Sequence, residues 1–273
     1  MINASKDRLQ LQSNLGAIIS INSNFIGDNF VMPGGQKFAF FLPNTFTALN
    51  MACGFSAILF SFNGKFYNAC LALILGAIFD LVDGRLARLT GTQSTFGEQF
   101  DSLSDLVCFG VAPAFLVYNC FFSEIGKLGL VVSFFYLLCG ALRLARFNSN
   151  IEKVSPDYFQ GLPIPGAALS ISGLVLFYLK VELFKGLTYP FILYVFFYSL
   201  LMISNIRFNS FKNSPWVKEH KKTVLFIIFL LLSLLFIFEH YTLFAIMSLY
   251  IVISLVYFFV KEGEFRDVFV WKS

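Results

Sequence analysis

The sequence predicts an all-α, polytopic membrane protein, and two observations lead to this prediction. Hydrophobic residues make up 57% of the 273-residue chain and charged residues only 13%, a far more apolar composition than water-soluble domains have. The apolar residues also fall in runs long enough to cross about 30 Å of hydrocarbon as helices. We expect about eight transmembrane helices, near residues 41–62, 66–89, 97–121, 127–147, 164–184, 187–207, 223–239 and 241–261.

The segments between these runs define the expected organisation of the chain. Residues 1–39 are mixed and polar, and the apolar stretch 15–21 is too short to span a bilayer, so we interpret them as a cytoplasmic N-terminal extension. Residues 40–262 form one membrane-embedded domain, and residues 263–273 a cytoplasmic tail. The second and third helices are joined by only a few residues near 90–96, which predicts antiparallel neighbours. The fifth helix begins in the segment 161–166, because Pro165 is tolerated in a first helical turn.

The positive charges indicate the orientation in the membrane. An even number of helices places both termini on one side, and with that side cytoplasmic only Lys65, Lys127, Lys180 and Lys185 of the 20 lysines and arginines lie outside. This distribution predicts a multi-pass protein of the cell inner membrane. The net charge of +4 suits an anionic lipid leaflet, and we expect no nucleic-acid partner.

Ionisable and small residues recur at helical intervals in the second and third predicted helices. Each ionisable side chain costs roughly 2.5 to 3.5 kcal/mol at membrane depth, so a cluster of them indicates a polar cavity that binds a ligand. Members of each aspartate pair share a helix face, and the pairs converge if the helices are neighbours. The pattern is Asp80-x-x-Asp83-Gly84-x-x-Ala87-Arg88, eight residues, then Gly97-x-x-x-Asp101-x-x-x-Asp105.

The residue types in this pattern favour phosphoryl transfer assisted by metal ions. Four carboxylates in a low dielectric require compensating charge, and Arg85 and Arg88 supply only two positive charges. Oxygen ligands suit Mg²⁺ or Mn²⁺, and four carboxylates are enough for two ions. Gly84 and Gly97 allow a phosphate-sized ligand to approach the backbone, and Arg88 can pair with a phosphate oxygen. The opening of this site is expected on the cytoplasmic side.

The pattern resembles the signature of the CDP-alcohol phosphotransferase family, with every specified position matched. This resemblance implies a core of six transmembrane helices, a CDP-linked donor, two divalent metals, and transfer of a substituted phosphate to an alcohol with release of CMP. It also implies a homodimer. By the same resemblance Asp80, Asp83 and Asp101 are metal ligands, while Asp105 completes the metal site and acts as the general base.

Further segments resemble one branch of that family, the CDP-diacylglycerol–serine O-phosphatidyltransferases. They are residues 140–148, 159–165, 101–105, 109–113 and the Pro43-Asn44 opening of the first helix. The likeness implies that CDP-diacylglycerol and L-serine are the substrates and that phosphatidylserine and CMP are the products. Arg143 or Arg146 can then hold the serine carboxylate, although positive-inside anchoring also explains these arginines. Asn44, Thr47 and Asn50 share a face of the first helix. They either bind the donor nucleotide, together with Gly84, Ala87, Arg88 and Gly97, or form interhelical hydrogen bonds.

Two alternatives remain open at the level of sequence. The same chemistry can serve another alcohol, such as glycerol 3-phosphate or inositol phosphate, although a phosphorylated acceptor calls for a denser basic pocket. A divalent-cation transporter also uses intramembrane aspartates, but it predicts metal flux without CMP release.

Overall fold

The structure is a computed structural model that describes residues 34–149, 158–181, 188–209, 223, 233–234 and 237–261. The chain divides into two compact units, residues 1–41 and 42–273. Of the first unit, only residues 34–41 are described, as the start of a helix. All side-chain contacts discussed below lie within the second unit.

The described residues are mainly helical. The α-helices are α1 (Gly34–Phe62), α2 (Phe66–Thr90), α3 (Thr95–Asp105), α4 (Ala112–Val117), α5 (Lys127–Ser149), α6 (Ile164–Lys180), α7 (Thr188–Ile203) and α8 (Glu239–Lys261); the strands are β1 (Tyr158–Gln160) and β2 (Arg207–Asn209). The third predicted helix corresponds to one helical run, Thr95–Ile125, which we call the third span. It contains α3, α4, two π-helical stretches, Leu106–Val111 and Tyr118–Phe122, and a final 3₁₀ turn, Ser123–Ile125. The two strands pair antiparallel with Phe159 opposite Phe208.

Length and composition identify the chain as membrane-embedded. Four helical segments in the described residues are long and apolar enough to cross a bilayer: Phe41–Phe62, Thr95–Ile125, Lys127–Ser149 and His240–Val260. Two shorter apolar helices, α6 and α7, accompany them. More than half of the third span, Thr95–Ile125, is buried inside the protein, whereas only about a fifth of His240–Val260 is buried. The third span is therefore central.

The predicted helices can be compared with these elements one by one. Seven of the eight predicted runs coincide with helical segments of the structure. The remaining run, 223–239, lies mostly outside the described residues, so the count of eight stays a prediction. The two strands were not predicted; β1 lies between the predicted helices 127–147 and 164–184. Strand pairing over about fifty residues leaves no local periodicity that sequence reasoning could detect.

The connection between α2 and α3 brings the two halves of the aspartate pattern together. The last turn of α2 is followed by Gly91 in the left-handed conformation (φ 64°), which few other residues adopt without strain. Ser94 caps α3, because its Oγ accepts a hydrogen bond from the Gly97 amide at 3.1 Å. The tight turn makes α2 and α3 adjacent in the chain with almost no intervening loop.

Glycines allow α1 and α2 to approach the third span closely. A Cβ atom added at Gly54 of α1 would lie 2.5 Å from the Cys108 Cα atom. One added at Gly76 of α2 would lie 2.5 Å from the Cys108 sulfur. Cys108 is one turn beyond Asp105, so these contacts fix three helices at the depth of the aspartates.

Candidate active site

Three aspartates from two helices meet in one cluster. Asp80 comes from α2, while Asp101 and Asp105 come from α3. Each offers a carboxylate oxygen, and these oxygens all lie within 4.8 Å of one another. Asp80 and Asp105 are in direct side-chain contact. Such a separation matches the spacing of ligands around a shared cation.

Asp83 lies beside this cluster and has a different partner. It is 4% exposed, and its Oδ2 atom is 2.9 Å from the hydroxyl of Thr47 on α1. That hydroxyl is also 3.2 Å from the carbonyl of Pro43. A hydroxyl has one proton to donate, and a carboxylate is a stronger acceptor than a backbone carbonyl. The Thr47 hydroxyl therefore donates to Asp83.

Asp105 is surrounded by groups from three other helices. The Asn50 amide of α1 donates to Asp105 Oδ1 at 3.4 Å. Asp80 of α2 touches it, and Arg143 of α5 lies within electrostatic range. A π-helical stretch begins directly after Asp105, and its Phe109 carbonyl accepts a hydrogen bond from the Tyr136 hydroxyl at 3.0 Å. Stretches of π-helix within α-helices are frequent at functional sites.

Unpartnered polar atoms concentrate at the same place. Among the described residues, four buried side-chain polar atoms have no hydrogen-bond partner, and three of them are Asn50 Oδ1, Asp101 Oδ1 and Arg143 Nε. A buried polar atom without a partner costs about 1–3 kcal/mol, so native proteins rarely leave several together. Their concentration around the aspartates indicates a place where a ligand completes the hydrogen bonds.

The donor set fits a hard divalent cation. All of the clustered ligand atoms are carboxylate oxygens, which suit Mg²⁺, Mn²⁺ or Ca²⁺ better than softer metals. Asp101 retains an oxygen without a protein partner. The cluster can therefore hold a metal ion.

The two arginines of α5 have different surroundings. Arg143 is 8% exposed, and its guanidinium carbon lies 5.8 Å from the ring centroid of Phe147. Arg146 is half-buried and donates hydrogen bonds to protein oxygens. These acceptors are the carbonyls of Gln160 (2.9 Å), Ile203 (3.0 Å), Ser204 (3.1 Å) and Met202 (3.4 Å), and the Asn205 Oδ1 atom (3.5 Å).

The other predicted site residues lie along α1, α2 and α3. Gly84 and Arg88 are exposed on α2, and the nearest atom to a Cβ at Gly84 would be Arg88 Nη2 at 4.0 Å, so space is open there. Ala87 between them is half-buried. A Cβ at Gly97 would lie 3.6 Å from Asn44 Oδ1, which brings α1 and the start of α3 together.

The sequence singles out Asn50 together with Asn44 and Thr47, because the three residues share one face of α1, but it leaves open whether they bind the nucleotide or hydrogen-bond another helix. The contact with Asp105 depends on the packing of α1 against α3, which the sequence does not specify. Phe147 and Tyr136 were missed for the same reason.

Comparisons with known proteins agree on one family. Residues 40–193 match the family model described as CDP-alcohol phosphatidyltransferase. A Helicobacter pylori protein named CDP-diacylglycerol–serine O-phosphatidyltransferase is 37% identical over 218 residues, covering 80% of this chain and 90% of that relative. A Methanocaldococcus jannaschii protein of the same name is 41% identical, covering 63% of this chain and 75% of the relative. A Methanothermobacter thermautotrophicus protein named archaetidylserine synthase is 40% identical, covering 61% of this chain and 69% of the relative.

Proposed function

The chain belongs to the CDP-alcohol phosphatidyltransferase family, and on that basis we propose that it transfers the phosphatidyl group of CDP-diacylglycerol to L-serine, giving phosphatidylserine and CMP. The names of the relatives support serine as the acceptor, since each names a serine or archaetidylserine product or substrate. The observation in the structure that carries the proposal is the cluster of Asp80, Asp101 and Asp105 oxygens within 4.8 Å.

The acidic residues have a proposed role in holding the donor. Asp80, Asp83, Asp101 and Asp105 would hold two divalent cations, Mg²⁺ or Mn²⁺, which when bound would neutralise the charge of the donor's pyrophosphate. The cluster and the unpartnered Asp101 Oδ1 support this assignment. The donor-binding residues in this proposal are Asn44, Gly84, Ala87, Arg88 and Gly97, whereas Thr47 bonds Asp83 instead.

Asp105 is the proposed general base. It accepts the proton of the serine hydroxyl as the serine oxygen forms a bond to the phosphorus that carries diacylglycerol. The bond from that phosphorus to the oxygen of the CMP phosphate breaks, and CMP leaves. Asp105 suits this role because its carboxylate is held between Asn50 and Asp80 inside the site.

Arg143 is the better candidate of the two arginines for the acceptor's carboxylate. It is buried, lies within electrostatic range of Asp105 and has an Nε–H without a protein partner. An acceptor held there would present its hydroxyl near the proposed base. Arg146 already donates to four backbone carbonyls, so its guanidinium is engaged with the protein.

The membrane setting follows from the amphipathic donor. We place the enzyme in the cell inner membrane as a homodimer, with the site open to the cytoplasm, where serine and the cytidine head of the donor meet. The acyl chains remain in the lipid leaflet. The distribution of lysine and arginine along the sequence supports this orientation.

The test is CMP release by the purified protein given CDP-diacylglycerol and one acceptor at a time. We expect release with L-serine in the presence of Mn²⁺ or Mg²⁺, and little with glycerol 3-phosphate or inositol phosphate. Release with one of the phosphorylated acceptors instead would replace serine in the proposal. Uptake of Mn²⁺ into proteoliposomes without any CMP release would favour the cation transporter.

A further inference from the structure

Two polar side chains of α1 are bonded to aspartates of the site rather than directed into open space. Thr47 is 3% exposed and Asn50 is 0% exposed. Thr47 donates to Asp83 at 2.9 Å, and Asn50 donates to Asp105 at 3.4 Å. The backbone carbonyl of Thr47 also accepts a hydrogen bond from the Ser104 hydroxyl at 2.9 Å, so the same turn of α1 is bonded to the residue before Asp105.

We infer that Thr47 and Asn50 are positioning residues that orient the Asp83 and Asp105 carboxylates for cation binding, and that they do not bind the donor nucleotide. This inference rests on the proposed function, because it takes those carboxylates to be cation ligands. For Thr47 and Asn50 it chooses interhelical hydrogen bonding over nucleotide binding, the two interpretations that the sequence leaves open.

The chemistry of a carboxylate explains why such partners are needed. A carboxylate has two oxygens and rotates about its Cβ–Cγ bond unless something holds it. A hydrogen bond from α1 to one oxygen fixes the carboxylate plane and leaves the second oxygen for a cation. Asp83 is held in this way through Oδ2 and Asp105 through Oδ1.

The surroundings of the Asn50 amide determine which way it faces. Its Oδ1 atom has no donor partner, and a Cβ atom at Gly76 would lie 3.1 Å from it. The glycine therefore leaves room for the amide oxygen against α2 while the amide nitrogen faces Asp105. With the nitrogen on that side, Asn50 donates to Oδ1 of Asp105 and does not compete for a cation.

Mn²⁺ binding to the full-length protein in lipid nanodiscs, without substrates, tests the inference directly. Loss of such a partner typically weakens metal affinity about 10- to 100-fold, so we expect Thr47→Val and Asn50→Leu each to raise the Mn²⁺ dissociation constant by that factor. Thr47→Ser keeps the hydroxyl and should restore affinity close to the original. Free Mn²⁺ is followed by its electron paramagnetic resonance signal.

Ser61→Ala is the matched control. Ser61 is another buried hydroxyl of α1 that bonds the third span, through the Phe115 carbonyl at 3.2 Å, but it lies 14 residues beyond Thr47. Its loss should leave Mn²⁺ affinity unchanged. An equal loss of affinity in Ser61→Ala would attribute the effect to helix packing and overturn the inference.

Kinetics distinguish positioning from nucleotide binding. At saturating Mn²⁺, positioning predicts that kcat falls in Thr47→Val while the KM for CDP-diacylglycerol is preserved. Unchanged Mn²⁺ affinity with a raised KM for CDP-diacylglycerol would overturn the inference. Should Asn50→Leu fail to fold, the smaller Asn50→Ser takes its place under the same criteria. If serine proves not to be the acceptor, the Mn²⁺ titration still tests whether Thr47 and Asn50 support cation binding, because it uses no substrate.

Discussion

Substitution of Arg143 separates its two proposed roles, binding the acceptor carboxylate and placing positive charge near Asp105. Arg143→Lys keeps the charge but loses the planar fork of donors, including the Nε–H that has no protein partner. Arg143→Met removes the charge while keeping an unbranched side chain in a position that is only 8% exposed. The two variants therefore separate the contribution of the guanidinium's hydrogen-bonding geometry from the contribution of its positive charge.

The expected magnitude follows from the hydrogen bonds at stake. A hydrogen bond to a charged group contributes about 1.5–3 kcal/mol, and each 1.4 kcal/mol is a factor of ten in affinity. We therefore expect Arg143→Lys to raise the KM for serine about 10- to 100-fold, with a small change in kcat. Arg143→Met should raise the KM for serine at least as much and also lower kcat, because Asp105 loses its neighbouring cation.

Initial rates of CMP release measured against serine concentration, at saturating CDP-diacylglycerol, provide these constants. Arg146→Lys is the comparison, since it makes the same chemical change one turn along α5 at a guanidinium engaged with backbone carbonyls. It should leave the KM for serine nearly unchanged. The reasoning is refuted if Arg143→Lys and Arg143→Met retain the original KM for serine, or if only the KM for CDP-diacylglycerol changes.

Three further predictions concern stability and metal dependence. Arg146→Ala should destabilise the fold by at least about 2 kcal/mol, because backbone carbonyls at the end of α7 lose their donor; thermal unfolding in detergent measures this, and an unchanged Tm would contradict it. Gly54→Ala should cost about 1–3 kcal/mol in the same assay, since its Cβ would lie 2.5 Å from Cys108 Cα, and Gly166→Ala, whose Cβ would meet only the side chains of Leu162 at 3.5 Å and Met247 at 3.8 Å, tests whether the space matters. Removing divalent cations with EDTA should abolish CMP release, and Mn²⁺ or Mg²⁺ in excess should restore it; activity that survives complete chelation would exclude the metal assignment.

Much of the site could be predicted because helical spacing places side chains on known faces. The intervals between Asp80 and Asp83, and between Asp101 and Asp105, require that each pair share a face, and a short connection requires that the two helices be neighbours. Those two requirements are enough to expect a cluster. They do not decide which oxygen of Asp83 faces a cation and which faces Thr47.

The parts that could not be predicted depend on contacts between distant segments. Arg146 resembles an ordinary inner-end arginine in the sequence, and its hydrogen bonds to residues 202–204 arise only when α5 packs against α7. The π-helical stretch after Asp105 leaves no sequence signature of its own, and the Tyr136 hydroxyl that bonds its Phe109 carbonyl comes from α5. The strand pair behaves likewise, because its partners are separated by about fifty residues.

The comparison of Asp105→Asn with Glu98→Gln tests the central claim, that this acidic cluster activates the attacking hydroxyl. Both substitutions replace a carboxylate by its amide on α3, but Glu98 is an exposed residue of the first helical turn. General-base catalysis contributes about 10²- to 10⁴-fold, so at saturating serine, CDP-diacylglycerol and Mn²⁺ we predict that Asp105→Asn lowers the rate of CMP release by at least about 100-fold. Glu98→Gln should keep the original rate. Equal rates for the two variants would contradict the assignment of catalysis to this cluster.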